Sequence, residues 1–295
     1  MKVLISDKLS QEGIDVLNNV DGIQIIYKTN LEPEDLKNEI RDVEALIVRS
    51  STQVTKEVLS EAKKLKIIGR AGIGVDNIDC SAATERGVIV INTPSGNATT
   101  TAEHTIAMLM SLSRHIPQAD RSMHQGAWEK SKFTGTEITG KVLGIFGFGN
   151  IGKIVADRAL GLRMRVLVSD PFLNEQIVAK HGFELVSNDV LFERSDYISV
   201  HVPLNDTTRN LIDHKTIQSM KTGVSILNCA RGGIVNESAL LDGLNSGKIA
   251  GAAIDVFEEE PPQKDNPLLT HDRVICTPHL GASTAEAQVN VAIQA

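Results

Sequence analysis

The feature that most restricts the fold of this 295-residue chain is the spacing of its short β-branched runs. KVLI from Lys2, IQII from Ile23, ALIV from Ala45, KIIG from Lys66 and VIVI from Val88 recur about every 22 residues, with helical patterning between them. One strand, one helix and two turns fill that length. The period is therefore architectural, not that of a solenoid, and it predicts a parallel sheet covered by helices. A second series follows: VLGIFG at Val142, MRVLVS at Met164, YISVHV at Tyr197, VSILNC at Val224, AGAAID at Ala250 and RVICTP at Arg273. At roughly 100 to 200 residues per domain, the length accommodates two such sheets.

Between the two series the text from Asn97 reads NATTTAEHTIAMLMSLSRHI. Thr100 and Glu103 have capping-box spacing ahead of a strongly apolar helix, which has to be buried in a core, at a domain junction or at a subunit interface. The polar, glycine-containing stretch from Ser122 to Gly140 connects the series. The expected organisation is two α/β domains joined near Pro94 and again near Leu280, with the tail after Gly281 returning to the first.

Thirty basic and 37 acidic residues give a formal charge of −7, and no Lys/Arg block is present to neutralise a run of phosphates. This argues against nucleic acid as a partner. With 1 Trp, 2 Tyr and 7 Phe, the chain has few rings on which bases or sugars could stack. No apolar run approaches the roughly 20 residues that cross a bilayer, and the N-terminus meets Asp7 before a signal-peptide core could form. No membrane partner and a cytoplasmic location are the expectation. Cys80, Cys229 and Cys276 lack metal-ligand spacing and read as core filler in a reducing compartment; no metal site is expected.

The sharpest local signal is Gly147-Phe148-Gly149-Asn150-Ile151-Gly152, directly after the run VLGIF and opening the helical pattern IGKIVADRALG. A lone GxGxxG is weak, but here strand, helix and a following acid are all in place. Gly147 suits a tight turn, Gly149 lets backbone amides approach a pyrophosphate, and Gly152 lets helix and strand pack closely. The helix N-terminus contributes about half a positive charge toward the phosphates. Asp170 ends the next strand run, where a carboxylate accepts from ribose hydroxyls and repels a 2′-phosphate. NAD rather than NADP is therefore the expected cofactor.

In open α/β sheets ligands bind beyond the carboxyl ends of the strands. The residues there are Arg49-Ser50-Ser51, the segment from Arg70 through Gly72 and Ile73 to Gly74, and Asn92-Thr93-Pro94 in the first series. In the second they are His201, Arg231, Asp255 and His279. These chemistries suit an anionic substrate held between domains and a proton transferred beside NAD. Histidine, with an ordinary pKa near 6.5, suits that transfer. His104, His115, His124, His181, His214 and His271 fall in helical or connecting text and read as surface or packing residues. His201 and His279 follow strands; His279, in Thr-Pro-His-Leu-Gly-Ala, better fits a site loop, whereas His201 could line the cofactor crevice. An orienting carboxylate would come from Asp255 or from Glu258, Glu259 or Glu260, which the pattern alone does not separate. Arg231, flanked by Gly232, suits two-pronged contact with a carboxylate, and Gly72 and Gly74 could expose amides as an anion nest.

Together, VRSSTQVT from Val48, GRAGIGVDNID from Gly69, GFGNIG from Gly147, NCARGGIVNE from Asn228, AGAAIDVFEEEPP from Ala250 and TPHLGAST from Thr277 resemble the D-isomer-specific 2-hydroxyacid dehydrogenase family over nearly the whole chain. The resemblance implies two Rossmann-like or flavodoxin-like parallel-sheet α/β domains separated by a cleft: a substrate-binding domain, residues 1–95 completed by 281–295, and an NAD-binding domain, residues 96–280. It implies Arg231, Glu260 and His279 as the catalytic set. Around NAD it places Ile73, Asn150, Ile151, Asp170, Val202, Cys229, Ala230, Asp255 and the loop from His279 through Gly281 to Ala282.

The substrate implied is the 2-hydroxy acid 3-phosphoglycerate, oxidised to 3-phosphohydroxypyruvate, a step of serine biosynthesis. Arg49 and Arg70 would meet its phosphate and Asn97 would help position it, with Lys130 and Lys132 contributed across a homodimer interface. Glycerate or glyoxylate reductases share the core, and corepressor-like relatives keep the NAD site as sensors. Many relatives continue into serine-sensing regulatory domains; this chain ends at Ala295, and feedback through such a domain is not expected of it.

Overall fold

The structure, a computed structural model, describes residues 1–173 and 182–295; His181 lies outside the described residues. Two compact units are present, Met1–Ala98 with Ala282–Ala295, and Thr99–Gly281.

In the first unit, β1 (Lys2–Ile5), α1 (Gln11–Asn18), β2 (Gln24–Tyr27), α2 (Pro33–Glu39), β3 (Ala45–Val48), α3 (Lys56–Glu61), β4 (Ile67–Arg70), α4 (Cys80–Glu85) and β5 (Ile89–Asn92) alternate along the chain. The strands form one parallel sheet in the order β2-β1-β3-β4-β5. Both faces of the central strands are covered, which is why their text is continuously apolar. Leu4, Leu46, Val48 and Ile68 pack with Leu36, Val58 and Leu59 on one side. Val3, Ile5, Ala45 and Ile47 meet Val291 and Ala292 of the C-terminal helix, Ala285–Gln294, on the other. Full burial of each such aliphatic side chain contributes about 1.5 to 3 kcal/mol.

The second unit carries α5 (Ala98–Arg114), α6 (Ile116–His124), β6 (Val142–Phe146), α7 (Asn150–Gly161), β7 (Arg165–Ser169), β8 (Glu184–Leu185), α8 (Asn188–Arg194), β9 (Tyr197–Val200), α9 (His214–Ser219), β10 (Val224–Asn228), α10 (Glu237–Asn245), β11 (Ile249–Ile254) and β12 (Val274–Cys276). Its parallel sheet runs β12-β11-β10-β9-β6-β7-β8. The first strand of the unit, β6, sits inside the sheet, with β7 on one side and β9 on the other. That reversal of winding direction is the topological switch point of a Rossmann fold, and loops leaving β6 and β9 diverge there to open a crevice.

Helix α5 buries Ala102, Met108, Leu109 and Leu112 in one core of this unit. The capping box expected at Thr100 and Glu103 is not formed. The helix already begins at Ala98, so both residues lie inside it, and Glu103 accepts from Arg158 Nη2 at 2.9 Å. Cys229 belongs to the same core; burial, reinforced by the charge of Asp255, pushes its thiol up to about 12, so it stays protonated and unreactive. Among the described residues no helix is long and apolar enough to cross a membrane.

Candidate active site

At the end of β6 the backbone must turn sharply into α7. Gly147 does so with φ 87°, and a Cβ built there would lie 2.5 Å from the carbonyl oxygen of His201. A Cβ at Gly152 would lie 2.0 Å from the carbonyl oxygen of Gly147. The chain's own packing therefore dictates both glycines. Gly149 is different: its φ is an ordinary −72°, and a Cβ there would meet nothing within 4 Å. Open space thus lies over the N-terminus of α7, whose first residues are Asn150 and Ile151. The positive end of the helix dipole favours an anion at such a place. Asp170 follows β7, and its carboxylate accepts from Phe148 N at 2.8 Å and Phe172 N at 2.9 Å, tying it to the glycine loop.

His201 and Val202 follow β9. The His201 amide donates to Phe146 O at 2.7 Å, and ring Nε2 lies 2.9 Å from Ser199 Oγ. Its Nδ1 is buried without a partner among the described residues. Burial pulls the His201 pKa down to about 4, so the ring is neutral near pH 7 and serves poorly as a proton exchanger.

The turn after β10 presents Cys229, Ala230 and Arg231. Buried Asn228 holds that turn, donating to Arg231 O at 2.8 Å and accepting from Ala230 N at 3.1 Å. Next to Arg231, a Cβ at Gly232 would come within 1.7 Å of Phe257 O. The arginine turn and the Phe257–Glu260 loop therefore cross at a point that admits no side chain.

Geometry separates the three glutamates. Glu258 exchanges contacts with Glu237 at the start of α10, its amide donating at 2.8 Å, and Glu259 accepts from Gln263 at 3.1 Å. Glu260 turns to His279, with 2.7 Å between Oε2 and Nδ1, while its Oε1 accepts from Phe257 N at 3.1 Å. The Glu260 hydrogen bond, working against burial, raises the His279 pKa above its ordinary value. Burial disfavours the charged Glu260 carboxylate, but His279 and the Phe257 amide outweigh it and hold the Glu260 pKa low. The charge of Arg231 opposes protonation of His279, which places the guanidinium within electrostatic reach of the ring.

His279 itself has φ 53°, in the left-handed region, which disfavours a β-carbon. Asp255 holds the loop in that shape. Its carbonyl accepts from His279 N at 2.9 Å, and its fully buried carboxylate accepts from Leu280 N at 2.7 Å, Gly281 N at 2.8 Å and Thr277 Oγ1 at 2.6 Å. His104 Nε2, on α5, lies 3.3 Å from the same carboxylate and 3.2 Å from Thr277 Oγ1. Burial works against the Asp255 charge, and these donors overcome it and hold its pKa low. Sequence reasoning placed His104 among surface and packing residues; 173 positions separate it from Thr277, and no local signal joins them.

The remaining candidates fall elsewhere. Arg49 and Ser50 follow β3, while Ile73, Gly72 and Gly74 follow Arg70 at the end of β4, all in the first unit. A Cβ at Gly72 would overlap Arg70 Nη1 at 1.5 Å, so the Arg70 side chain lies across the Gly72 backbone. Asn97 precedes α5, and Ala282 opens the stretch belonging to the first unit. Lys130 and Lys132 sit on an exposed single turn in the second unit, where Lys132 pairs with Glu129.

Residues 106–281 match the family described as D-isomer specific 2-hydroxyacid dehydrogenase, NAD binding domain. The chain is 50% identical over 291 residues to the D-3-phosphoglycerate dehydrogenase of Archaeoglobus fulgidus, covering 99% of this chain and 55% of that protein. It spans about half the length of the curated relatives it matches. A solved protein from Thermus thermophilus is similar with a TM-score of 0.91 at 30% identity, over 99% of this chain and 94% of that one. D-lactate dehydrogenase from Aquifex aeolicus, complexed with NAD and lactic acid, is similar with a TM-score of 0.85 at 28% identity, over 100% of this chain and 92% of that one. The matched stretch carries the glycine loop, Asp170 and the Arg231, Glu260 and His279 loops, and the chain belongs to the D-isomer specific 2-hydroxyacid dehydrogenase family, with NAD as its cofactor.

Proposed function

We propose that this chain performs NAD-dependent oxidation of 3-phosphoglycerate to 3-phosphohydroxypyruvate, the D-3-phosphoglycerate dehydrogenase reaction of serine biosynthesis. The observation that carries the reading is the 2.7 Å contact between His279 Nδ1 and Glu260 Oε2. An ionised carboxylate only accepts, so Nδ1 carries the hydrogen and Nε2 is left with its lone pair. Nε2 takes the proton of the substrate hydroxyl, and Glu260 stabilises the imidazolium that results.

NAD, when bound, accepts the hydride released from the substrate carbon. Its pyrophosphate fits the open space at Gly149 over the α7 amides, and Asp170 receives its ribose hydroxyls; Ile73, Gly147, Asn150, Ile151, Gly152, His201, Val202, Cys229, Ala230, Asp255, Gly281 and Ala282 complete the proposed cofactor set. Arg231 holds the substrate carboxylate, a charge-assisted contact typically worth about 1.5 to 3 kcal/mol. Arg49, Ser50, Arg70, Gly72, Gly74 and Asn97 receive the substrate and its phosphate, with Lys130 and Lys132 supplied across a homodimer interface. Support for a homodimer comes from apolar side chains left exposed in this part of the second unit, Ile116, Met123 and Trp128, the last 80% exposed.

The test is NADH oxidation with phosphohydroxypyruvate, hydroxypyruvate and glyoxylate. Phosphohydroxypyruvate is expected to be preferred in kcat/KM by about tenfold or more, the value of one charge-assisted phosphate contact. Preference for either unphosphorylated acid would reassign the chain to a hydroxypyruvate or glyoxylate reductase. No turnover of any of the three would leave a cofactor-binding protein.

A further inference from the structure

The first sheet, ordered β2-β1-β3-β4-β5, has its own switch point between β1 and β3. Asp7 lies just past β1 and is 5% exposed. A buried carboxylate beside Arg49, where a phosphate is proposed to bind, is electrostatically adverse and needs a structural reason. The loop after β3 supplies one. Asp7 Oδ2 accepts from Arg49 N at 2.6 Å and Thr52 N at 3.2 Å, and Asp7 Oδ1 accepts from Thr52 Oγ1 at 2.9 Å.

The same two residues are held a second time through their carbonyls. Asn77 Nδ2 donates to Arg49 O at 2.8 Å and Thr52 O at 2.6 Å, using both of its hydrogens. Asn77 is itself fixed by its carbonyl, which accepts from Val54 N at 2.8 Å, and by the parallel bridge between Val54 and Ile78. Arg49 and Thr52 are thus clamped at both backbone groups. Ser50 and Ser51 between them are exposed and make no hydrogen bond among the described residues, so two amides and two hydroxyls remain available on a braced arch beside the Arg49 guanidinium.

We propose that Asp7 and Asn77 are positioning residues that brace the Ser50–Ser51 arch for a tetrahedral anion, and that they set the preference for a phosphorylated over an unphosphorylated acid. This rests on the phosphoglycerate reading. Preorganised donors bind an anion without the cost of ordering the loop, and displacement of such a loop by about 1 Å can cost up to a hundredfold.

The test compares Asp7→Asn and Asn77→Ala with the wild-type chain, using NADH with phosphohydroxypyruvate and with hydroxypyruvate. The expected result is a fall of about tenfold or more in the ratio of the two kcat/KM values. The fall is carried by KM for the phosphorylated acid, with hydroxypyruvate turnover and NADH affinity within about twofold of wild type. Asp7→Asn removes a negative charge near the anion, so charge alone would tighten phosphate binding. Weakened binding therefore identifies bracing as the role of Asp7. Should Asp7→Asn fail to fold, Asn77→Ala decides, since it acts on the opposite side of the arch. A ratio unchanged in a variant of a wild type that prefers the phosphorylated acid overturns the brace alone. Equal losses on both substrates also overturn it, and a wild type with no such preference overturns both the brace and the phosphoglycerate reading.

Discussion

Replacing Glu260 with glutamine removes the charge from the His279 partner while keeping its size. Two unit charges about 4 Å apart attract by about 1 kcal/mol in water and about 4 kcal/mol at an effective dielectric of 20. His279 and Glu260 are 48% and 37% exposed, so solvent screening places the pair near the lower figure. Glu260 raises the His279 pKa, so its removal lowers it. In the oxidising direction the neutral ring takes the proton, and the rate falls as pH drops through the His279 pKa. That fall should therefore occur at lower pH in Glu260→Gln than in the wild type.

The amide cannot accept from both Phe257 N and His279 Nδ1. If its NH₂ faces the ring, Nδ1 becomes the acceptor and the ring hydrogen moves to Nε2, the nitrogen that must receive the substrate proton. A loss of about tenfold or more in kcat should accompany the pH shift. The assay is NADH formation from 3-phosphoglycerate between about pH 6 and 9, with NADH affinity measured alongside. An unmoved or upward-shifted acid limb, with kcat intact, would refute the pairing as the source of His279 basicity.

Gly149→Ala enters open space, so stability should change by less than about 1 kcal/mol while the NADH Kd rises about tenfold or more; an unchanged Kd would place the phosphates elsewhere. Gly152→Ala drives a methyl to 2.0 Å from Gly147 O and should cost about 1 to 3 kcal/mol in denaturant unfolding, an outcome that equal stability of the two variants would contradict. Asp170→Ala should weaken NADH binding by about tenfold and narrow its advantage over NADPH in kcat/KM; a preserved NADH-to-NADPH ratio would show that Asp170 only ties down Phe148.

The central strands were legible because they are buried on both faces and written as continuous apolar runs, and the glycine loop was legible because its packing excludes other residues at Gly147 and Gly152. β8 was not, since two residues, Glu184–Leu185, carry no period. The start of α5 was misplaced because the capping-box pattern is local, whereas the helix extends back to Ala98. The order of strands, and with it both switch points, is fixed by non-local pairing that no run of text displays. Glu260 could not be separated from Glu258 and Glu259 by composition, because what distinguishes it is a contact 19 residues away in the chain. Asp7 and Asn77 were passed over, and His104 was set among surface and packing residues, for the same reason: each hydrogen-bonds a loop distant in sequence.

Turnover of His279→Ala, measured together with its NADH affinity, tests proton exchange by the imidazole most directly. The expected result is a kcat reduced by about 10² to 10⁴-fold with the NADH Kd within about twofold of wild type. Turnover within a few-fold of wild type, with the cofactor bound as tightly, would contradict it.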